Sequence, residues 1–184
     1  MSSTQKIAII LRAPSGMGKS RVSEIIRERH PATRHISLDD GWSQGEHRYV
    51  GGPSRYADLS AVQENILIVE LGWGEPADRG SPGATRGACE WVTTLRTAGR
   101  VIVPFLLWAD CLEVDARLRD REQRQNRPPQ EYWVGMGTYA LYEHRHPHYS
   151  YPVIPNFFEM RIDTTGRSHR EVAEFIMSVV GILT

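Results

Sequence analysis

Five short apolar runs, rich in β-branched residues, recur along the chain, and segments with helical periodicity separate them. Continuous apolar runs of this length are typical of strands that are buried on both faces of a sheet. They predict strands at 6–12, 34–38, 66–69, 101–107 and 158–163. The periodic segments predict helices at 19–29, 58–64, 88–98, 110–125, 130–143 and 168–180. This alternation predicts an α/β fold, a three-layer sandwich with helices on both faces of a parallel sheet.

The length of the chain suits a single domain. Its 184 residues are enough for one core, so residues 1–184 are predicted to form one unit with a small lid at about 115–130. The segments 41–56 and 72–87 are polar or rich in glycine, which predicts long loops.

Composition narrows the class of protein. The formal net charge is zero, which argues against a strongly basic nucleic-acid binder but leaves a local basic groove open. Cys89 and Cys111 lack the spacing of a metal site or a redox pair. No apolar run reaches the length of a membrane span, and the N-terminus lacks the features of a signal peptide. We therefore expect a cytoplasmic protein with no membrane partner, and the oligomeric state stays open.

The segment APSGMGKS at 13–20 follows the first predicted strand and opens the first predicted helix. A strand, a loop ending in Gly-Lys-Ser and a helix are the context of a phosphate-binding loop. Lys19 would reach the β- and γ-phosphates of ATP, and the Ser20 hydroxyl would ligate Mg²⁺. Ala13 stands where the pattern has glycine, which is a small departure. The residues expected to bind ATP are Ser15, Gly16, Met17, Gly18, Lys19, Ser20, Arg21 and Arg124.

The plain alternative is a strand-to-helix turn that binds nothing. Lysine is rare in this chain, which has only Lys6 and Lys19 against twenty arginines. A cation at a helix N-terminus is disfavoured by the helix dipole. An empty turn would therefore not explain Lys19.

Two further segments accompany the loop: ISLDDGW at 36–42 and ARLRDREQRQNRP at 116–128. With these three motifs the chain resembles the P-loop kinases of small molecules and nucleic acids. Its motif order is more similar to polynucleotide 5′-kinases than to nucleoside monophosphate kinases. Its short, Arg-biased chain is also similar to the stand-alone phage kinases that phosphorylate 5-hydroxymethyluracil in DNA. The resemblance implies a P-loop NTPase fold with an Arg-rich helical lid. It also implies an ATP-dependent phosphotransferase that uses Mg²⁺ and an alcohol acceptor.

The resemblance assigns roles to three carboxylates. The first Asp of the matching pair orients and deprotonates the acceptor in polynucleotide kinases, so Asp39 is the candidate base and Asp40 a supporting or metal-linked group. The alternative for both is a turn after a strand. Glu70 closes an apolar run, as a Walker B acid does, and could hold Mg²⁺ through water or touch the acceptor. The alternative is a strand-end carboxylate that faces solvent.

Arginines of the predicted lid are candidates for stabilising the transferred phosphoryl group, over which negative charge spreads. Arg117 and Arg121 are four residues apart and share a helix face, and Arg124 and Arg127 follow. The alternative is a solvated helix, because acidic partners are close in sequence. Those partners are Glu113, Asp115, Asp120 and Glu122.

The phosphate acceptor is the least determined feature. The segments 42–56 and 132–149 interleave aromatic residues with arginines, which suits a flat, charged substrate, although core packing explains many of these aromatics. The leading prediction is transfer to the 5-hydroxymethyl group of 5-hydroxymethyluracil in DNA. Alternatives are a polynucleotide 5′-hydroxyl, a free nucleoside, sugar or antibiotic, and a nucleotide-dependent switch module with little transfer.

Overall fold

A computed structural model describes residues 5–13, 16–37, 59–71, 92–126 and 159–181. Its strands are β1 (Ile7–Arg12), β2 (Thr33–Ser37), β3 (Ile66–Leu71), β4 (Val101–Trp108) and β5 (Met160–Asp163). The helices with both ends described are α1 (Lys19–Arg29), α2 (Cys111–Arg124) and α3 (His169–Val179). Residues 59–61 and 92–97 are helical too.

The five strands form one parallel sheet in the order β2-β3-β1-β4-β5. Strand β1 is central, and its Leu11 is in register with Glu70 of β3 and Phe105 of β4. Because all strands run the same way, the loop after β1 lies at the middle of the carboxyl edge, where ligands bind in open α/β sheets. The parallel α/β sheet confirms the predicted fold class.

Alternate residues of β1 face two separate hydrophobic clusters. Ile9 and Leu11 pack with apolar side chains of α1, α2 and α3. Ala8 and Ile10 pack with Leu59 and with residues of the 92–97 helix on the other face. The sheet is therefore buried between two helical layers, as the continuous apolar runs require.

Side chains cap the N-termini of two helices. The Asp110 side chain accepts a hydrogen bond from the Leu112 N–H (2.8 Å) and caps α2. Ser168 and Glu171 form a reciprocal capping box at the start of α3.

None of the helices in the described part of the chain has the length and apolar character needed to span a membrane.

The observed elements correct some predicted boundaries. Strand β3 continues beyond 66–69 to Leu71, so Glu70 lies inside the strand rather than at its end. Within the predicted helix 58–64, the described residues are helical only at 59–61. The predicted helix 130–143 and the loop 72–87 lie outside the described residues.

A buried ion pair joins the central strand to the residue before β5. Arg12 donates from Nε to Glu159 Oε1 and from Nη2 to Glu159 Oε2, each over 2.6 Å. The Arg12 side chain is 0% exposed and that of Glu159 is 2% exposed. This bidentate pair holds the end of β1 immediately before the loop that leads to α1.

Candidate active site

The loop between β1 and α1 has the backbone of an anion cradle. Gly16 and Gly18 have φ values of 87° and 85°, a left-handed conformation that favours glycine. Gly18 is also the N-cap of α1, and its carbonyl accepts from the Val22 N–H over 3.0 Å. Loop amides beside a helix N-terminus attract phosphate. Pro14 and Ser15 lie outside the described residues.

Lys19 is the first residue of α1, and its side chain reaches back across the loop. Its Nζ donates a hydrogen bond to the carbonyl oxygen of Ala13 over 2.7 Å, in a buried environment. Ala13 is itself fully buried, which explains why a small residue occupies the place of the usual glycine. The ammonium group is therefore held at the mouth of the loop.

Ser20 and Glu70 meet across the gap between α1 and β3. The Ser20 hydroxyl donates to Glu70 Oε2 over 2.9 Å. Glu70 is only 2% exposed, so it is not a carboxylate that faces solvent. A hydroxyl and a carboxylate oxygen are the donors that Mg²⁺ prefers, so these two side chains fit a magnesium ion.

Glu70 stays ionised although it is buried. Burial alone raises the pKa of its carboxyl group, but its interactions with His35, Ser23 and Ser20 lower that pKa below its usual value overall. His35 Nε2 lies 2.8 Å from Glu70 Oε1. Within the described ranges, no three His, Cys, Asp or Glu side chains gather as a metal cluster, and Asp40 falls outside them.

Two helices cover the outer side of the loop. A Cβ atom added to Gly16 would lie 2.8 Å from Leu118 Cγ of α2, and one added to Gly18 would lie 2.4 Å from the His169 imidazole of α3. Burial and the positive charges of Arg117, Arg21 and Arg124 lower the pKa of His169, so this imidazole is neutral at pH 7. The loop is thus packed against α2 and α3.

The arginines of α2 are anchored by different partners. Arg117 donates from Nη2 to the Thr164 carbonyl (2.6 Å) and from Nη1 to the Thr164 hydroxyl (3.0 Å), in the connection between β5 and α3. Its Nε donates to Glu113 (2.9 Å). The structure therefore brings Arg117 to the carboxyl edge of the sheet.

The other candidate arginines occupy ion pairs. Arg121 Nη2 lies 3.0 Å from Glu122 Oε1. Arg124 pairs with Asp120 four residues earlier. Arg21 is exposed and pairs with Glu24 of its own helix over 2.8 Å. The contact of Arg124 matches the solvated-helix alternative for the lid arginines, and Arg21 stays a predicted nucleotide-binding residue.

Several predicted site residues lie outside the described residues: Asp39, Asp40, Arg127 and the segments 42–56 and 132–149. Strand β2 ends at Ser37, in register with Glu70, and Asp39 follows two residues later in the sequence. His35 and His169 were missed by sequence reasoning. Both belong to segments that end or begin at the carboxyl edge, which was the available indication.

Replacing Gly18 with alanine should weaken nucleotide binding. An alanine in the left-handed region is destabilised by about 1–2 kcal/mol, and its Cβ would also meet His169 at 2.4 Å. The loop must then shift its amides away from the phosphates. We expect the Kd for ATP, measured by calorimetry, to rise about tenfold or more.

Gly99→Ala is the matched control for this variant. Gly99 has a φ of 73°, and none of the described residues comes within 4 Å of a Cβ added there. It carries the same backbone strain at a place remote from the loop. Gly99→Ala should lower stability by a similar amount and leave the Kd unchanged; equal effects of both variants on the Kd would contradict the assignment of the loop.

Solved structures resemble this chain over almost its whole length. It is 23% identical to a tunicamycin resistance protein from Deinococcus radiodurans, with a TM-score of 0.63, and the match covers 97% of this chain and 98% of that one. A gluconokinase from Sinorhizobium meliloti 1021 matches at 16% identity and a TM-score of 0.54, covering 95% and 91%. Shikimate kinase from Acinetobacter baumannii, in complex with shikimate, matches at 18% and 0.53, covering 95% and 93%.

These similarities show that the chain has the fold of the two kinases and of the resistance protein. No protein-family model matches the chain, and no curated protein matches its sequence significantly.

Proposed function

We propose that this protein is an ATP-dependent kinase that transfers the γ-phosphate to a hydroxyl group of a free small molecule. The observation that carries the proposal is the arrangement at the carboxyl edge of the sheet. Lys19 spans the mouth of a loop with two left-handed glycines, and Ser20 and Glu70 face each other 2.9 Å apart beside it. This arrangement suits a triphosphate better than an ordinary turn.

Each residue has a definite task in this reaction. The loop amides and Lys19 bind the β- and γ-phosphates and hold them in place. Ser20 and Glu70 are the residues that would hold Mg²⁺, which neutralises phosphate charge when bound. Arg117, fixed by Thr164 and Glu113, and Arg121 contribute positive charge near the phosphates.

The acceptor is proposed to be a small molecule rather than DNA. A gluconokinase and a shikimate kinase in complex with shikimate share the fold over more than nine-tenths of this chain. The tunicamycin resistance protein has a TM-score of 0.63, which favours an antibiotic as the first acceptor to try. The leading prediction from sequence, a base in DNA, receives no support from these proteins, and the free-small-molecule alternative is supported better.

A transfer assay with γ-labelled ATP tests this proposal. The acceptors are tunicamycin, gluconate, shikimate and a set of nucleosides, with 5-hydroxymethyluracil duplex DNA and a 5′-hydroxyl oligonucleotide as the competing arms. Label in a small molecule and in neither nucleic acid would support the proposal. Label confined to the 5-hydroxymethyluracil duplex would overturn it in favour of a kinase of a DNA base, and label confined to the oligonucleotide would overturn it in favour of a polynucleotide 5′-hydroxyl kinase.

Asp39→Asn should abolish transfer without weakening ATP binding. Asp39 is the proposed base, and general acid–base catalysis contributes about 10²–10⁴-fold to a rate. We expect kcat to fall within that range while the Kd for ATP, measured by calorimetry, stays constant. Asp40→Asn is the comparison variant; if it causes the loss of kcat and Asp39→Asn does not, the base is the second aspartate.

A further inference from the structure

Side chains from two different elements approach the two oxygens of the Glu70 carboxylate. Ser20 of α1 donates to Oε2 over 2.9 Å, and His35 Nε2 of β2 lies 2.8 Å from Oε1. Two contacts on opposite oxygens restrict rotation of a carboxylate more than one contact does. Glu70 is therefore oriented as well as buried.

The sheet register explains how His35 reaches Glu70. His35 pairs with Ile68, and Ser37 pairs with Glu70, on the neighbouring parallel strands. Residues two apart point to the same face of a strand, so His35, Ile68 and Glu70 share the face covered by α1. Glu70 lies two residues beyond Ile68, the register partner of His35, so the imidazole reaches diagonally across to the carboxylate.

We propose that His35 is a positioning residue that turns Glu70 so that its second oxygen faces Ser20 at the phosphate-binding loop. The inference rests on the proposed function, because it concerns the pair that would hold Mg²⁺ with the nucleotide. His35 reaches Oε1 and leaves Oε2 to the Ser20 side. Groups that orient metal-binding carboxylates typically change metal affinity by about 10- to 100-fold when they are removed.

A purely structural role makes a different prediction. If His35 only satisfied a buried carboxylate, its removal would lower stability and weaken nucleotide binding equally with and without Mg²⁺. If it orients Glu70, the loss falls on the Mg²⁺-dependent part of the affinity. The ratio of the nucleotide Kd in EDTA to the Kd in Mg²⁺ separates the two roles.

The test compares amides of different reach at position 35. The amide nitrogen of His35→Gln can occupy the place of Nε2, whereas that of His35→Asn is one methylene short. His35→Phe, which keeps a ring without a polar atom, is a second loss variant. His30→Gln is the control. His30 follows α1, and its backbone N–H donates a hydrogen bond to the Ile26 carbonyl of that helix. A change of its side chain leaves this hydrogen bond available. Calorimetry with a non-hydrolysable ATP analogue gives the ratio, and thermal unfolding of the free protein gives stability.

The expected result is a ratio that falls about tenfold or more in His35→Asn and His35→Phe. The ratio should stay near the wild-type value in His35→Gln and His30→Gln. An unchanged ratio in the folded loss variants would overturn the inference while leaving the kinase proposal in place. If the wild-type protein itself binds no nucleotide, the proposed function fails and the inference falls with it.

Discussion

Replacing Lys19 with alanine is expected to abolish phosphate transfer and leave the fold intact. The lysine is the first residue of α1, and its ammonium group lies 2.7 Å from the Ala13 carbonyl at the mouth of the loop. Removing a preorganised group that stabilises charge in a transition state lowers kcat by about 10²–10³-fold. We expect at least that loss in the transfer assay, together with weaker ATP binding.

Lys6→Ala is the control for this variant. Lys6 precedes β1 and is the only other lysine in the chain. Comparing the two variants shows whether the loss of activity depends on the position of the lysine or only on the removal of one positive charge. Lys6→Ala should keep wild-type kcat, and both variants should keep the far-UV circular dichroism spectrum of the parent. Persistent activity in Lys19→Ala would mean that the loop does not act on the phosphates.

Removing one partner of the Arg12–Glu159 pair is expected to produce a large loss of stability. Both side chains are buried and joined by two hydrogen bonds. Breaking such a pair leaves an uncompensated buried charge, which destabilises a protein by about 3–5 kcal/mol. The free energy of unfolding from urea titration should fall by this amount in Arg12→Met and in Glu159→Met.

The double variant distinguishes the pair from its separate side chains. When both charges are replaced by apolar groups of similar size, stability is often restored, so Arg12→Met with Glu159→Met should lose far less than either single variant. Glu174→Ala removes the surface pair with Arg29, whose side chains are 32% and 44% exposed, and should change stability by less than about 1 kcal/mol. If the double variant lost as much stability as the two single variants together, Arg12 and Glu159 would not stabilise the protein as a pair.

The strands could be predicted because their apolar runs are continuous. β1 and β4 match the predicted ranges within one residue at each end. The prediction ended β3 too early because Glu70 interrupts the apolar pattern. The backbone pairing nevertheless continues, since Glu70 and Leu71 pair with Leu11 and Arg12 of β1. A buried carboxylate inside a strand therefore gives the same sequence pattern as the end of a strand.

The loop between β1 and α1 could be predicted because its residues are contiguous. The contacts of His35 with Glu70 and of His169 with Gly18 could not, since they join residues far apart in the chain and leave no local pattern. The partners of the lid arginines were ambiguous for a different reason. Acidic residues stand at helical spacing around each arginine, and only packing selects Thr164 and Glu113 for Arg117.

We propose that the loop between β1 and α1 moves phosphate to an acceptor and does not serve as a switch. The rate of ADP release from ATP tests this function, measured with and without a pool of small hydroxylated molecules, for the wild type and for Lys19→Ala. A kinase gives a rate that the pool stimulates and that Lys19→Ala loses. A slow rate that no acceptor changes would contradict phosphate transfer and favour a nucleotide-dependent switch module.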